Sequence, residues 1–230
     1  MKIIVLVRSP RAAPESDETL PGLSPGDRAA LATGLALREE GDEVIAMAAG
    51  PPADDQALQL ALRAGAGQAL RIIDPAVREA DLRTLATVLA GGLRKTGFDL
   101  ILAGQRSADW ASGGTGPAVA HMLRIPHVTS VTRVERAADG ELQLTQRRER
   151  TSLHLVLRPP VLIAVTHGPQ LTAEKTPSDT SVEGLSLAEM TLPFRRPLLC
   201  TDREIRPIAG PTAKMLETVE GLVDLLRQWR

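Results

Sequence analysis

The chain has 230 residues, 43% hydrophobic and 24% charged, and 27 Lys+Arg against 28 Asp+Glu leave a formal net charge of -1. That is the composition of one globular domain with a core of its own, large enough to need neither disulfides nor a structural metal. The near-neutral balance excludes the basic footprint of a nucleic-acid binder, and the 2% aromatic content excludes a base-stacking platform. Cys200 is the only cysteine, and His121, His127, His154 and His167 do not fall at ligand spacings, so neither a disulfide framework nor a Cys/His zinc site is expected. The apolar opening from Ile3 to Val7 is too short for a signal-peptide core or a membrane span, and the cytosol is the expected location.

In chain order, residues 2–7 read as a strand, 26–40 as a helix, 43–48 as a strand, 53–64 as a helix and 69–73 as a strand. Residues 81–95 then read as a helix, 99–103 as a strand and 114–123 as a helix. Gly41, Gly65 and Gly97 stand where helices need a left-handed residue to stop. The strands are continuous apolar runs without polar alternation, which requires cover on both faces. The expected fold class is therefore α/β, a Rossmann-like parallel sheet flanked by helices.

After Pro126 the pattern changes. Residues 128–136 and 141–148 alternate apolar and polar positions around a turn at 137–140, the signature of a half-exposed antiparallel hairpin. Leu153, Leu155 and Leu157 alternate next, and residues 160–166 supply a further buried strand. Pro169, Pro177, Pro193, Pro197 and Pro207 interrupt every candidate element between 167 and 206, so this stretch reads as an extended arm. It ends in a helix over about 212–229 with Met215, Val219, Leu222, Val223, Leu226 and Trp229 on one side, suited either to a partner chain or to self-docking.

In an open parallel sheet, ligands lie beyond the carboxyl ends of the strands, where loops and helix N-termini converge. The loop from Gly104 to Gly116 is the most informative such segment. Ser112, Gly113, Gly114 and Thr115 would aim backbone N–H groups at an anion, with the glycines letting a phosphate approach; the alternative is an ordinary capped helix. Asp109 suits either a general base or an Asx-type cap, and Trp110 either covers a ring of a bound nucleotide or packs half-buried. No G-x-G-x-x-G follows the first strand and no P-loop occurs anywhere, so hydride and kinase chemistry lack support. The histidines have no paired nucleophile in a local signature. The residues point to a nucleotide site without a catalyst.

Taken in order, several segments resemble the β subunit of electron transfer flavoproteins, the group that includes FixA. They are Lys2 to Arg8, Ser24 to Asp27 with the helix after it, Val44 to Pro51, Ala61 to Ala66, Phe98 to Gln105, Asp109 to Gly116, Pro126 to Thr129, and Leu157 to Leu162. The likeness runs over about residues 1–168 and implies a fold like that of the adenine nucleotide alpha hydrolases. Residues 1–168 would be the nucleotide-binding domain, and 169–230 the arm and C-terminal helix contacting an α subunit. It further implies a heterodimer in which the α subunit carries a redox FAD and this chain holds a structural AMP. Electrons would pass from a dehydrogenase to a quinone reductase or other acceptor.

By motif, the AMP would be held by Leu6, Ser24, Pro25, Gly26, Asp27, Ala49, Gly50, Gly104, Asp109, Ser112, Gly113, Gly114 and Thr115. In electron-bifurcating relatives a second FAD takes the place of AMP. Gly116-Pro117 agrees with that branch, while Trp110 departs from its Asp-Gly-Asp pattern. The loop that docks acyl-CoA dehydrogenases in the family is not matched by the stretch from Gly168 to Pro177, which points to a different donor. A stand-alone nucleotide sensor resembling the universal stress proteins is the alternative outside the family. It lacks support in the absent Gly-x-x-Gly phosphate motif and in the long segment after Thr166.

Overall fold

The computed structural model describes residues 1–8, 23–50, 55–73, 77, 80–106, 112–171, 181–186, 218, 223 and 227. It divides into two compact units, Met1–Cys200 and Thr201–Arg230. In the second unit only Thr218, Val223 and Arg227 are described, with Val223 and Arg227 helical; the rest of the expected C-terminal helix lies outside the described residues.

The first unit carries β1 (Lys2–Leu6), α1 (Pro25–Leu37), β2 (Glu43–Ala49), α2 (Asp55–Ala64), β3 (Gln68–Ile73), α3 (Leu82–Thr96), β4 (Leu100–Gly104) and α4 (Thr115–Leu123). It continues with β5 (His127–Arg136), β6 (Leu142–Arg148), β7 (Thr151–Leu157), β8 (Val161–Val165) and β9 (Glu183–Ser186). All nine strands form one sheet in the order β7-β6-β5-β8-β4-β1-β2-β3-β9. Every pairing from β5 through β9 in that order is parallel, and only β5–β6 and β6–β7 are antiparallel. The expected α/β class with a flanked parallel sheet is thus present, and the antiparallel strands extend the same sheet.

The apolar runs divide by parity. Ile3, Val5, Ala46, Leu100, Leu102 and Ile163 face α1 and α2, whereas Ile4, Leu6, Met47, Ile72, Ile101 and Leu162 face α3 and α4. Side chains of successive strand residues point to opposite faces, so a strand buried on both sides must be apolar throughout. Complete burial of each such side chain is worth about 1.5–3 kcal/mol, which makes the β1–β4–β8 centre the firmest part of the sheet.

Of the three expected glycine stops, Gly65 and Gly97 directly follow their helices with positive φ, and Gly41 does not end α1. Gly97 has φ +74 and caps α3, its N–H donating to Leu93 O at 2.9 Å. Helix α1 ends at Leu37, three residues before the expected end, because Arg38 turns extended and residues 39–42 form a turn. Asp42 drives that turn. Its Oδ2 accepts from the Glu39 N–H at 3.0 Å and from Arg136 Nη1 at 2.5 Å, and its Oδ1 from the Met1 amine. The 183–186 segment, read from sequence as part of an irregular arm, pairs with β3 as the edge strand β9.

Candidate functional site

Helix α1 begins with Ser24 as N-cap and Pro25 in the first turn; Ser24 Oγ accepts from the Asp27 N–H at 3.1 Å. The Asp27 carboxylate sits where the helix dipole favours an anion, and its Oδ2 accepts from the Arg8 N–H at 3.2 Å. This bond ties the end of β1 to the start of α1. The start of α1 also lies directly on β4. A Cβ on Gly104 would stand 2.7 Å from Gly26 C, and one on Gly26 3.0 Å from Arg106 O, so only glycines permit the approach. Gly168, just beyond β8, abuts the Ala29 backbone on the same helix in a similar way.

Helix α4 starts differently. Among the described residues no side chain caps its N-terminus, and Gly113 ahead of it has φ +66. Ser112 Oγ accepts from the Gly114 N–H at 3.4 Å, and Pro117 has no N–H to offer. The donors of the first turn therefore narrow to Thr115 and Gly116. On the other flank, Gln105 N donates to Val165 O at 2.8 Å and Gln105 Oε1 accepts from the Ser130 N–H at 2.6 Å. Ser130 has φ +58 and sits in the irregular register of β5, whose Thr129 carbonyl accepts from the buried Gln146 amide at 2.8 Å.

These elements converge on a cleft, open to solvent, at the carboxyl ends of β1, β2 and β4. The sheet reverses direction of winding between β1 and β4, and this is the crevice where open α/β sheets bind ligands. Of the residues singled out in the sequence, Leu6, Asp27, Ala49, Gly104, Gly113 and Thr115 line it. Ser24, Pro25, Gly26, Gly50, Ser112 and Gly114 are not among the described lining; Ser24 and Gly26 shape the start of α1, and the Gly50 N–H donates to Ile72 O at 3.3 Å. Asp109 and Trp110 lie outside the described residues.

The lining also includes Val7, Arg8, Met47, Leu85, Leu89, Ala103, Gln105 and Gly116, which sequence reasoning did not select. Leu6 came from the family motif alone, whereas Arg8 opens the loop after the first strand, where the strand-end rule places ligands, and Val7 is the last residue before it. Leu85 and Leu89 could not have been found in this way, since their helical spacing reads as core.

The charged groups among the described lining are Arg8 and Asp27, one of each sign. The cleft thus joins an apolar wall, a pair of opposite charges and one uncapped helix start. That combination suits a small ligand with an apolar ring and a single anionic group. Among its described residues no nucleophile is placed beside a base.

A family model for the electron transfer flavoprotein domain matches residues 18–189. The chain belongs to this family. It is 32% identical over 143 residues to the electron transfer flavoprotein subunit beta of Clostridium acetobutylicum, covering 61% of this chain and 54% of that one. It is 37% identical over 112 residues to the caffeyl-CoA reductase-Etf complex subunit CarD of Acetobacterium woodii, covering 47% and 43%. With the subunit beta of Bacillus subtilis it shares 28% identity over 221 residues, covering 89% and 85%. In the first two alignments the chain spans about half the length of its relative. Within the family it is a divergent member on the β-subunit side. Among the described residues no helix is long and apolar enough to cross a membrane.

Proposed function

We propose that this chain is the β-type subunit of an electron transfer flavoprotein, holding AMP in the cleft between β1, β4 and α4 and supporting an FAD-carrying α-type subunit. The observation that carries the reading is the uncapped start of α4, with its Gly113 turn, opening into a cleft walled by Leu6, Leu85 and Leu89. An AMP fits that chemistry: its phosphate would take the Thr115 and Gly116 N–H groups, and its base the apolar wall. The chain would serve as a carrier subunit in the cytosol. Its donor would be a dehydrogenase other than the standard acyl-CoA enzymes, because the stretch from Gly168 to Pro177 departs from the docking loop of the family. FAD on the partner supplies the redox chemistry; this chain's residues bind, orient and shield.

The test is to co-express the chain with an α-type subunit encoded beside it, purify the complex, denature it and quantify the released nucleotides. One FAD and one AMP per heterodimer supports the reading. Two FAD and no AMP would transfer the cleft to a bifurcating flavin. Failure to form any complex, with an adenine nucleotide on this chain alone, would favour a stand-alone sensor.

A further inference from the structure

Gln105, the first residue beyond β4, lines the cleft and is half-buried. Its backbone N–H is spent on Val165 O at 2.8 Å, and its side-chain Oε1 accepts from the Ser130 N–H at 2.6 Å. An N–H can pair only with the oxygen of a carboxamide, so this bond decides which way the amide lies and turns Nε2 away from Ser130. Nε2 stands 3.4 Å from the point a Cβ on Gly113 would occupy, which puts it against the turn that opens α4. It donates to no acceptor among the described residues and is not enclosed, so its N–H bonds are open to what fills the cleft.

The anchor at the other end is held from several sides. Ser130 has φ +58 within the irregular register of β5, and the adjacent Thr129 carbonyl accepts from Gln146 Nε2 at 2.8 Å. Val131 O accepts from the Thr166 N–H at 2.8 Å and from the Thr166 hydroxyl at 3.1 Å. With Oε1 fixed there, Gln105 has already given up rotamer freedom that an unanchored glutamine would lose on binding a ligand.

Resting on the nucleotide reading above, we propose that Gln105 is a ligand-binding residue whose Nε2 donates to the phosphate of the bound nucleotide, and that the Ser130 N–H positions it to do so. The phosphate would meet this side chain beside the Thr115 and Gly116 N–H groups. The donor is neutral, so it adds a partner for the phosphate without altering the balance of Arg8 and Asp27 in the lining. A hydrogen bond to an ionised oxygen is about twice as strong as one between neutral groups, so the contact favours a nucleoside monophosphate over the bare nucleoside.

The test uses the full-length chain stripped of nucleotide, titrated separately with AMP and adenosine by calorimetry and by amide correlation NMR. The side-chain amide signals of Gln105, identified by their absence from the Gln105→Glu chain, should move on saturation with AMP and much less with adenosine. Gln105→Glu keeps an acceptor for the Ser130 N–H but removes the donor and adds a negative charge. It should melt like the natural chain and bind AMP at least about tenfold more weakly, with adenosine affinity kept within about twofold. Gln105→Met, neutral and of similar length, should weaken AMP about fivefold and again spare adenosine. Gln105 amide signals that stay in place under saturating AMP would overturn the proposal. So would an equal loss of AMP and adenosine affinity in both variants, the mark of a merely structural glutamine. If the natural chain binds neither compound, the nucleotide reading itself fails and the proposal with it, and that result needs no variant to be recognised.

Discussion

Replacing Gly104 by alanine tests whether the cleft is built on backbone contact between β4 and α1. The added Cβ would lie 2.7 Å from Gly26 C and 3.0 Å from both the Asp27 N and Oδ1 atoms. Ordinary carbon contacts begin near about 3.5 Å, so α1 must retreat by about 0.8 Å at its first turn. No rotamer change can supply this, because the obstructing atoms are mostly backbone. The turn is also held by the Ser24 cap, by Gly26 against Arg106 O, and by Gly168 against Ala29. Overpacking of this kind costs about 1–3 kcal/mol, and at this chain length about 2–4 °C of melting temperature per kcal/mol. Gly67→Ala is the matched control. Its Cβ would find only Val44 O at 3.7 Å, and its φ is not in the left-handed region, so loss of unfolded-state freedom should leave it neutral or stabilised by up to about 1 kcal/mol. Urea unfolding followed by circular dichroism measures both, and nucleotide binding should weaken in the first alone, since Gly104 and Asp27 both line the cleft. A Gly104→Ala chain as stable as the natural one, or a control equally damaged, would refute the reasoning.

Gly113→Val should abolish nucleotide binding, because φ +66 disfavours a β-branched residue and its Cβ would meet Gln105 O at 2.9 Å; quantitative retention of AMP would remove the phosphate from this turn. Asp42 offers a pH test. Burial pushes its carboxyl up, but hydrogen bonds from the Met1 amine, the Glu39 N–H and Arg136, with the charge of Arg136, outweigh this and hold it below its ordinary value of 3.8. The unfolded chain then takes up the proton first as pH falls, so the contribution is complete above about pH 4 and is lost as pH drops through the folded value. Asp42→Asn should therefore cost about 2–3 kcal/mol at pH 7, with a gap to the natural chain that narrows below pH 4; a gap constant from pH 3 to 7 would contradict the assignment. Hydrogen exchange should find the β9 amides far less protected than those of β4, since β9 is a short, largely exposed edge strand and β4 is central; equal protection would show a more cooperative edge.

The alternation of elements was legible because the strands from β1 to β4 must satisfy two covered faces at once and are apolar along most of their length, Arg71 of β3 being a mid-strand exception that pairs with Asp55. The helix ends were legible where glycine alone supplies the left-handed stop, as at Gly97. They were less so at α1, where Asp42 rather than Gly41 ends the helix through hydrogen bonds to Glu39 and to the distant Arg136. Such a contact spans 94 residues and leaves no local trace. Edge strand β9 was missed for a related reason. Glu183–Ser186 is four residues long, contains Gly184, and is extended chiefly because β3 offers a free edge to pair with.

The candidate site divides along the same line. A turn glycine beside a helix start announces itself, and Gly113 and Thr115 line the cleft as the pattern suggests. Gly26 and Gly104 belong to the same motif but for a different cause, since each is glycine because the other backbone stands where its Cβ would be. A sequence cannot separate a glycine that makes room for a ligand from one that makes room for a helix, because both are the same absence of a side chain. Leu85 and Leu89 present the converse case. Their periodicity reads as core, and only the placement of α3 against α4 turns one edge of that core into a wall of the cleft. Gly26 and Gly104, by contrast, are fixed first by the packing of α1 onto β4.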